Sequence, residues 1–112
     1  MSNSRHLLLA LTQPVEGKED AFNAWYDAHH VPECVQVNGF KSGQRFKLSA
    51  SNGESPSQAY LALYELEGDD PRAILDGLLS TRDRRIQSDA IDRDKTLLWV
   101  FSEIGEKHEA DD

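Results

Sequence analysis

Apolar residues along this chain fall into a few dense runs separated by polar stretches that carry Gly and Pro. Arg5 to Gln13 (RHLLLALTQ) is apolar through its centre and reads as a strand closed by Pro14 and Gly17. From Lys18 to Val31 the period changes. Ala21, Phe22, Trp25, Ala28 and His29 recur near 3.6-residue spacing, which predicts a helix. Pro32 ends or kinks it, and Glu33 to Val37 add a short extra turn. Asn38-Gly39 is a turn signal, Phe40 to Leu48 a second strand, Ser49 to Ser57 (SASNGESPS) a mobile loop and Gln58 to Glu67 a third strand. Asp69-Asp70-Pro71 opens a second helix, because Asp accepts from the free N–H groups and Pro tolerates the first helical position. Ile74, Leu75, Leu78 and Leu79 form its apolar stripe as far as about Thr81, with an extension to Ser88 after a break. Lys95 to Ile104 (KTLLWVFSEI) is a fourth strand. Residues 1–4 and the acidic stretch 105–112 are expected to be flexible tails.

The order is β-α-β-β-α-β. It predicts a single α+β domain over residues 1–112 with ferredoxin-like topology: a four-stranded antiparallel sheet with both helices on one face. A sheet covered on one face should alternate apolar and polar residues. Leu7 to Leu11, Ala59 to Leu66 and Leu97 to Phe101 do not alternate. Both faces therefore call for cover, and two helices cover only one. The same face of a second copy supplies the other, so a homodimer is expected, with roughly 800 Å² buried per partner for a stable interface.

Charge and composition narrow the partners. The chain has 112 residues, enough for one core, and a net charge of −8. So acidic a surface argues against nucleic-acid binding. The one basic cluster, Arg82, Arg84 and Arg85, is diluted by Asp83 and Asp89. A single cysteine, Cys34, makes no internal disulfide, falls short of a metal site and reads as a small buried hydrophobe. No apolar stretch approaches the roughly 20 residues needed to span a bilayer. Without a secretory leader pattern, a cytoplasmic protein is expected. Nucleophile elbow, phosphate-cradling glycine loop and dinucleotide fingerprint are all missing from the sequence.

One segment concentrates chemistry: Asn23-Ala-Trp-Tyr-Asp-Ala-His-His-Val-Pro-Glu33. On a regular helix Phe22, Trp25 and His29 face the sheet, and Asn23, Tyr26 and His30 form a second stripe beside them. Tyr26 and His30, four apart, can touch. A polar trio bordering an apolar face suits a pocket wall; it equally suits boundary residues whose polar tips reach water. His30 is the strongest candidate for proton transfer, since an imidazole titrates near neutrality. Asp27 either orients that ring or is a solvated helix residue. His29 reads as core or interface, His6 and His108 as surface. Adjacent histidines on a helix point about 100° apart and do not chelate one metal, so no metal site is expected. Arg45, on a strand with two covered faces, needs a partner: a carboxylate such as Asp27 or Glu33, or a ligand anion.

Trp25-Tyr26-Asp27, His30, Pro32, Gly39-Phe40 and Arg45-Phe46 together resemble the W-Y-D-x-x-H-x-P and G-F-x-x-x-x-R-[FY] pattern of the EthD-like branch of the dimeric α+β barrel superfamily. The resemblance covers residues 5–48 closely and the remainder by topology. It implies a homodimeric α+β barrel with a pocket in each protomer between helices and sheet. Relatives in that superfamily include cofactor-independent monooxygenases, polyketide cyclases, muconolactone isomerases, haem peroxidases and stress-response proteins. The haem relatives depend on elements this short chain lacks, so no bound cofactor is expected. On these grounds the expected activity is isomerase, cyclase or monooxygenase-like chemistry on a small apolar carbonyl or aromatic compound. His30, Tyr26 and Asp27 would be catalytic, and Asn23, Trp25, Phe22, Phe40 and Arg45 would bind substrate. The alternative is a dimer that binds a hydrophobic ligand, or serves in stress response, without chemistry.

Overall fold

The computed structural model describes residues 4–111. Strand β1 (Arg5–Thr12) is followed by helix α1 (Glu19–Trp25), a π-helical turn (Tyr26–His30) and helix α2 (Val31–Cys34). Then come β2 (Phe40–Lys47), β3 (Tyr60–Glu67), α3 (Pro71–Ser80) and β4 (Leu97–Ser102). The sheet order is β2-β3-β1-β4 with every neighbouring pair antiparallel. This is the expected α+β, ferredoxin-like arrangement. Of the expected flexible tails at 1–4 and 105–112, residues 1–3 and 112 lie outside the described residues.

Register fixes which side chains meet the helices. β1 sets Leu8 opposite Tyr64 and Ala10 opposite Ala62. Those four, with His6, Thr12, Tyr60 and Leu66, are buried. Their neighbours Leu7, Leu9, Leu11, Leu61 and Leu63 point to the opposite face, since alternate residues of a strand do so. There they are joined by Phe46, Trp99 and Phe101. Trp99 is 46% and Phe101 54% exposed. The strands are thus apolar on both faces, and the helices cover one.

His6 is not the surface residue its sequence position implied. It is buried, with Nε2 donating to the Gly68 carbonyl at 2.8 Å and Nδ1 accepting from the Ser102 hydroxyl at 2.8 Å. A carbonyl only accepts, which fixes the tautomer.

The first helix runs further than its periodicity indicated. It continues through Pro32 to Cys34, because the turn before the proline is widened: the Val31 N–H bonds to the Tyr26 carbonyl, five residues back. Proline lacks an N–H and crowds the preceding turn, and a π turn is one way for a helix to absorb such a fault. Ahead of the widened bond Tyr26, four residues on from Phe22, joins it in the core in place of Trp25, and within the widened turn His29 is exposed rather than core. Phe22 is fully buried against Tyr26 and Tyr60, at ring distances of 5.3 and 5.2 Å.

Helix α3 starts as read, with the Asp70 carboxylate accepting from the Ala73 N–H at 3.1 Å and Pro71 at the first position. Two glycines are required by space. Gly39 turns with φ +94° against Ile74, and Gly43 lies flat beneath the Tyr64 ring. A Cβ at Gly43 would stand 2.7 Å from Tyr64 Cδ1 and 3.0 Å from Val35 Cγ1. Both neighbours are held by packing, so Gly43→Ala is expected to destabilise the protein by about 1–3 kcal/mol. A lower urea midpoint with unchanged slope checks it; an unchanged midpoint contradicts the packing described.

Candidate functional site

The line Phe22, Tyr26, His30, Cys34 advances four residues at a time. In a regular helix each such step overshoots a turn by about 40°. The underwound turn takes back part of that drift, so Tyr26, His30 and Cys34 face the same space. That space is a cavity of about 320 Å³. The sheet supplies Leu8, Ala10, Thr12, Tyr64 and Leu98, α3 supplies Leu78 and Leu79, and the segment 82–96 supplies Arg82, Arg85, Gln87, Ile91, Arg93 and Thr96. This segment is strapped down. Its Ile86 carbonyl accepts from Trp25 Nε1 at 2.9 Å, and its Ile86 N–H donates to Glu33 at 2.9 Å. A larger hollow of about 580 Å³ between α3 and β4 is an open surface groove with no His, Cys or Tyr in its wall.

The His30 ring stacks on Trp25 at 4.5 Å and meets Tyr26 edge-on at 4.8 Å. Among the described residues the hydrogen-bonding partner of its nitrogens is the Cys34 sulfur, at 3.6 Å from Nε2 and 3.9 Å from Nδ1. Among the same residues no carboxylate holds the ring. Burial lowers its pKa from 6.5 to about 4, and the Arg85 and Arg93 guanidiniums push it the same way. Burial therefore favours the neutral ring at pH 7. Burial raises the Cys34 thiol, with Arg85 opposing, and pushes the Tyr26 hydroxyl up to about 12. Tyr64 is raised as well, again chiefly by burial. Thr12 Oγ1 and Tyr64 OH lie close to these groups. Neither has a partner of proper hydrogen-bond geometry among the described residues, and the same is true of Arg85 Nε. All three residues line the cavity, which thus offers a neutral base beside hydroxyl donors.

The remaining sequence candidates assemble elsewhere. Arg45 donates to Asp27 at 2.9 Å and to Asn23 at 2.8 Å, with its guanidinium 4.5 Å over the Tyr26 ring. Asp27 is thus the carboxylate partner expected for Arg45, and its carboxylate is not on His30. Asn23 continues to the Tyr60 hydroxyl at 3.4 Å, and that hydroxyl donates to Glu19. Phe22 and Phe40 pack behind the cavity, Phe40 against Tyr64 at 5.4 Å. The cavity therefore gathers His30, Tyr26 and Trp25 of the predicted set, and leaves Asp27, Asn23, Arg45, Phe22 and Phe40 outside its lining. It adds Thr12, Cys34, Tyr64, Arg85 and Arg93, which sequence reasoning did not select. Thr12 and Tyr64 carried a usable signal: they are polar tips on the same strand phase as Leu8 and Ala62.

Among the described residues, no group of three His, Cys, Asp or Glu is placed to hold a metal ion, and no helix is long and apolar enough to cross a membrane. No protein-family model matches the chain, and no curated protein sequence matches it.

The His30 shift has a consequence for stability. The folded pKa lies below the unfolded one, so between about 4 and 6.5 the unfolded chain binds more protons. Stability is complete above about pH 6.5 and is lost as pH falls through about 4. The loss is at most about 3 kcal/mol, less in proportion to the ring's partial exposure. His30→Gln should flatten that part of the stability–pH curve in urea titrations. An unchanged acid limb in the variant contradicts a buried neutral His30.

Proposed function

We propose that this protein is a small-molecule enzyme of EthD-like type, acting without a bound cofactor on a small apolar carbonyl or aromatic compound. The observation that carries the reading is the neutral His30 in the wall of an apolar cavity, beside Tyr26, Thr12 and Tyr64. In the proposed step His30 removes a proton from the carbon next to the substrate carbonyl. The C–H electron pair moves into the enolate, and the imidazolium returns the proton at another atom. Tyr26 and Tyr64, kept protonated by burial, donate to the developing oxyanion, where such help is worth most. A pKa of about 4 makes free His30 a weak base. Negative charge forming beside the ring favours the imidazolium and restores its strength in the transition state. Trp25 stacks behind the ring and holds its orientation.

The protein is further proposed to act as a homodimer, the two sheets packing face to face as an α+β barrel. Support comes from the exposed apolar face of Leu7, Phe46, Leu97, Trp99 and Phe101. A patch of that kind on a soluble protein marks an interaction surface.

Two measurements follow. Proton–deuterium exchange beside the carbonyl of small aryl ketones and 1,3-diketones, followed by NMR in D2O, should be accelerated by the protein. His30→Gln should slow it by about 10²-fold or more, and kcat/KM should rise through about pH 4 and then level off. Binding of these compounds without exchange would favour a ligand-binding dimer instead, and full exchange in the variant would remove His30 from the mechanism. For assembly, light scattering should give twice the protomer mass, and Leu61→Glu, on the uncovered face, should give monomer or insoluble protein. A stable micromolar monomer of the unaltered chain contradicts the dimer.

A further inference from the structure

We infer that the ligand of this cavity is an organic anion, an apolar body bearing a carboxylate that lies between Arg85 and Arg93. The inference rests on the reading of the cavity as the functional site and narrows what it takes. The chain holds 20 acidic against 12 basic residues, a net charge of −8. Yet the cavity wall contains three arginines, Arg82, Arg85 and Arg93, and no Asp or Glu. Of the four arginines outside this wall, Arg5 holds Glu65 and Glu103, Arg45 holds Asp27 and Arg72 holds Asp76, while Arg84 forms no ion pair among the described residues. Among the described residues Arg82, Arg85 and Arg93 form no such pair.

Of the acids on or against this segment, Asp83 and Asp94 form no ion pair among the described residues, and three others are engaged in other ways. Glu33 accepts from the Ile86 N–H at 2.9 Å, Asp89 pairs with Lys18 at 3.3 Å, and Asp92 accepts from the Asp94 N–H at 3.1 Å. Arg85 is held in place by the Leu78 carbonyl at 2.6 Å and the Thr81 hydroxyl at 2.9 Å, leaving its buried Nε unpartnered. Arg93 makes only long contacts, 3.3 Å to Gln87 and 3.4 Å to Ser88. Arg85 is partly buried, Arg93 is exposed beside it, and a partly buried cation without a counter-charge is unfavourable, which an anion relieves. The carboxylate is a good match for guanidinium donors. The rest of the wall, Leu8, Ala10, Ile91, Leu98 and Trp25, is apolar and suits a hydrocarbon or aromatic body rather than a polyphosphate.

The test compares 1-naphthoate with its uncharged isostere 1-naphthamide by calorimetric titration of the unaltered protein. At low salt, naphthoate should bind at least about tenfold more tightly, as a charge-assisted contact gives, and added salt should narrow the gap. Arg93→Gln and Arg82→Gln change exposed side chains and should leave the fold intact. Each should weaken naphthoate several-fold and leave naphthamide unchanged. Equal affinity for the two probes overturns the anion inference while the cavity reading stands. A naphthoate preference that survives both substitutions and Arg85→Gln also overturns it. Binding of neither probe up to its solubility limit overturns both.

Discussion

The widened turn at Tyr26–His30 is the constraint on which the rest of the site depends. Pro32 removes an N–H and crowds the turn before it, and the helix continues only because the Val31 N–H reaches back to Tyr26. That one changed hydrogen bond redistributes the helix faces. It turns His29 out and aligns Tyr26, His30 and Cys34 toward the sheet. A regular helix here would let Tyr26, His30 and Cys34 drift by about 40° at each step, so the three would align less closely on one space. π turns inside α-helices are frequently found at functional sites, and the physical reason here is alignment.

Tyr26 separates two kinds of electrostatics. Outside the cavity, Arg45 is neutralised by Asp27, bonded to Asn23 and spread over the Tyr26 ring. Its charge is matched, and its role in the fold is to tie β2 to α1. Inside, Arg85 and Arg93 act on His30 with no carboxylate between them, and burial works in the same direction. The same residue type thus has opposite consequences on the two sides of one ring. A matched arginine fixes structure. An unmatched one near a partly buried imidazole adds to burial in favouring the neutral ring.

The sequence made the topology legible because each element carried its own local signal. Dense apolar runs marked the strands, Asp70-Pro71 marked the start of α3, and the failure of β1, β3 and β4 to alternate foretold an uncovered sheet face. Much of the site was not legible for reasons that are physical. Spacing by four is compatible with a regular helix, so Pro32 was the only hint of the widened turn, and His29 was placed on the wrong face. Asp27 and His30 are close in sequence, yet the Asp27 carboxylate is claimed by Arg45 from another strand. Arg85 and Arg93 converge only after the segment 82–96 is strapped to the helix by Trp25 and Glu33. In the linear sequence Asp83 and Asp89 diluted the cluster of Arg82, Arg84 and Arg85, whereas in space Asp89 pairs with Lys18 and Asp83 forms no ion pair among the described residues.

The central claim is that His30 is a partly buried, neutral imidazole facing a cavity. Its ring titration, followed by heteronuclear NMR on the unaltered protein, tests this most directly. The account predicts an apparent pKa of about 4, well below the ordinary 6.5. A pKa at or above 6.5 would mean a solvated or carboxylate-paired ring, and would contradict both the cavity geometry and the role given to His30.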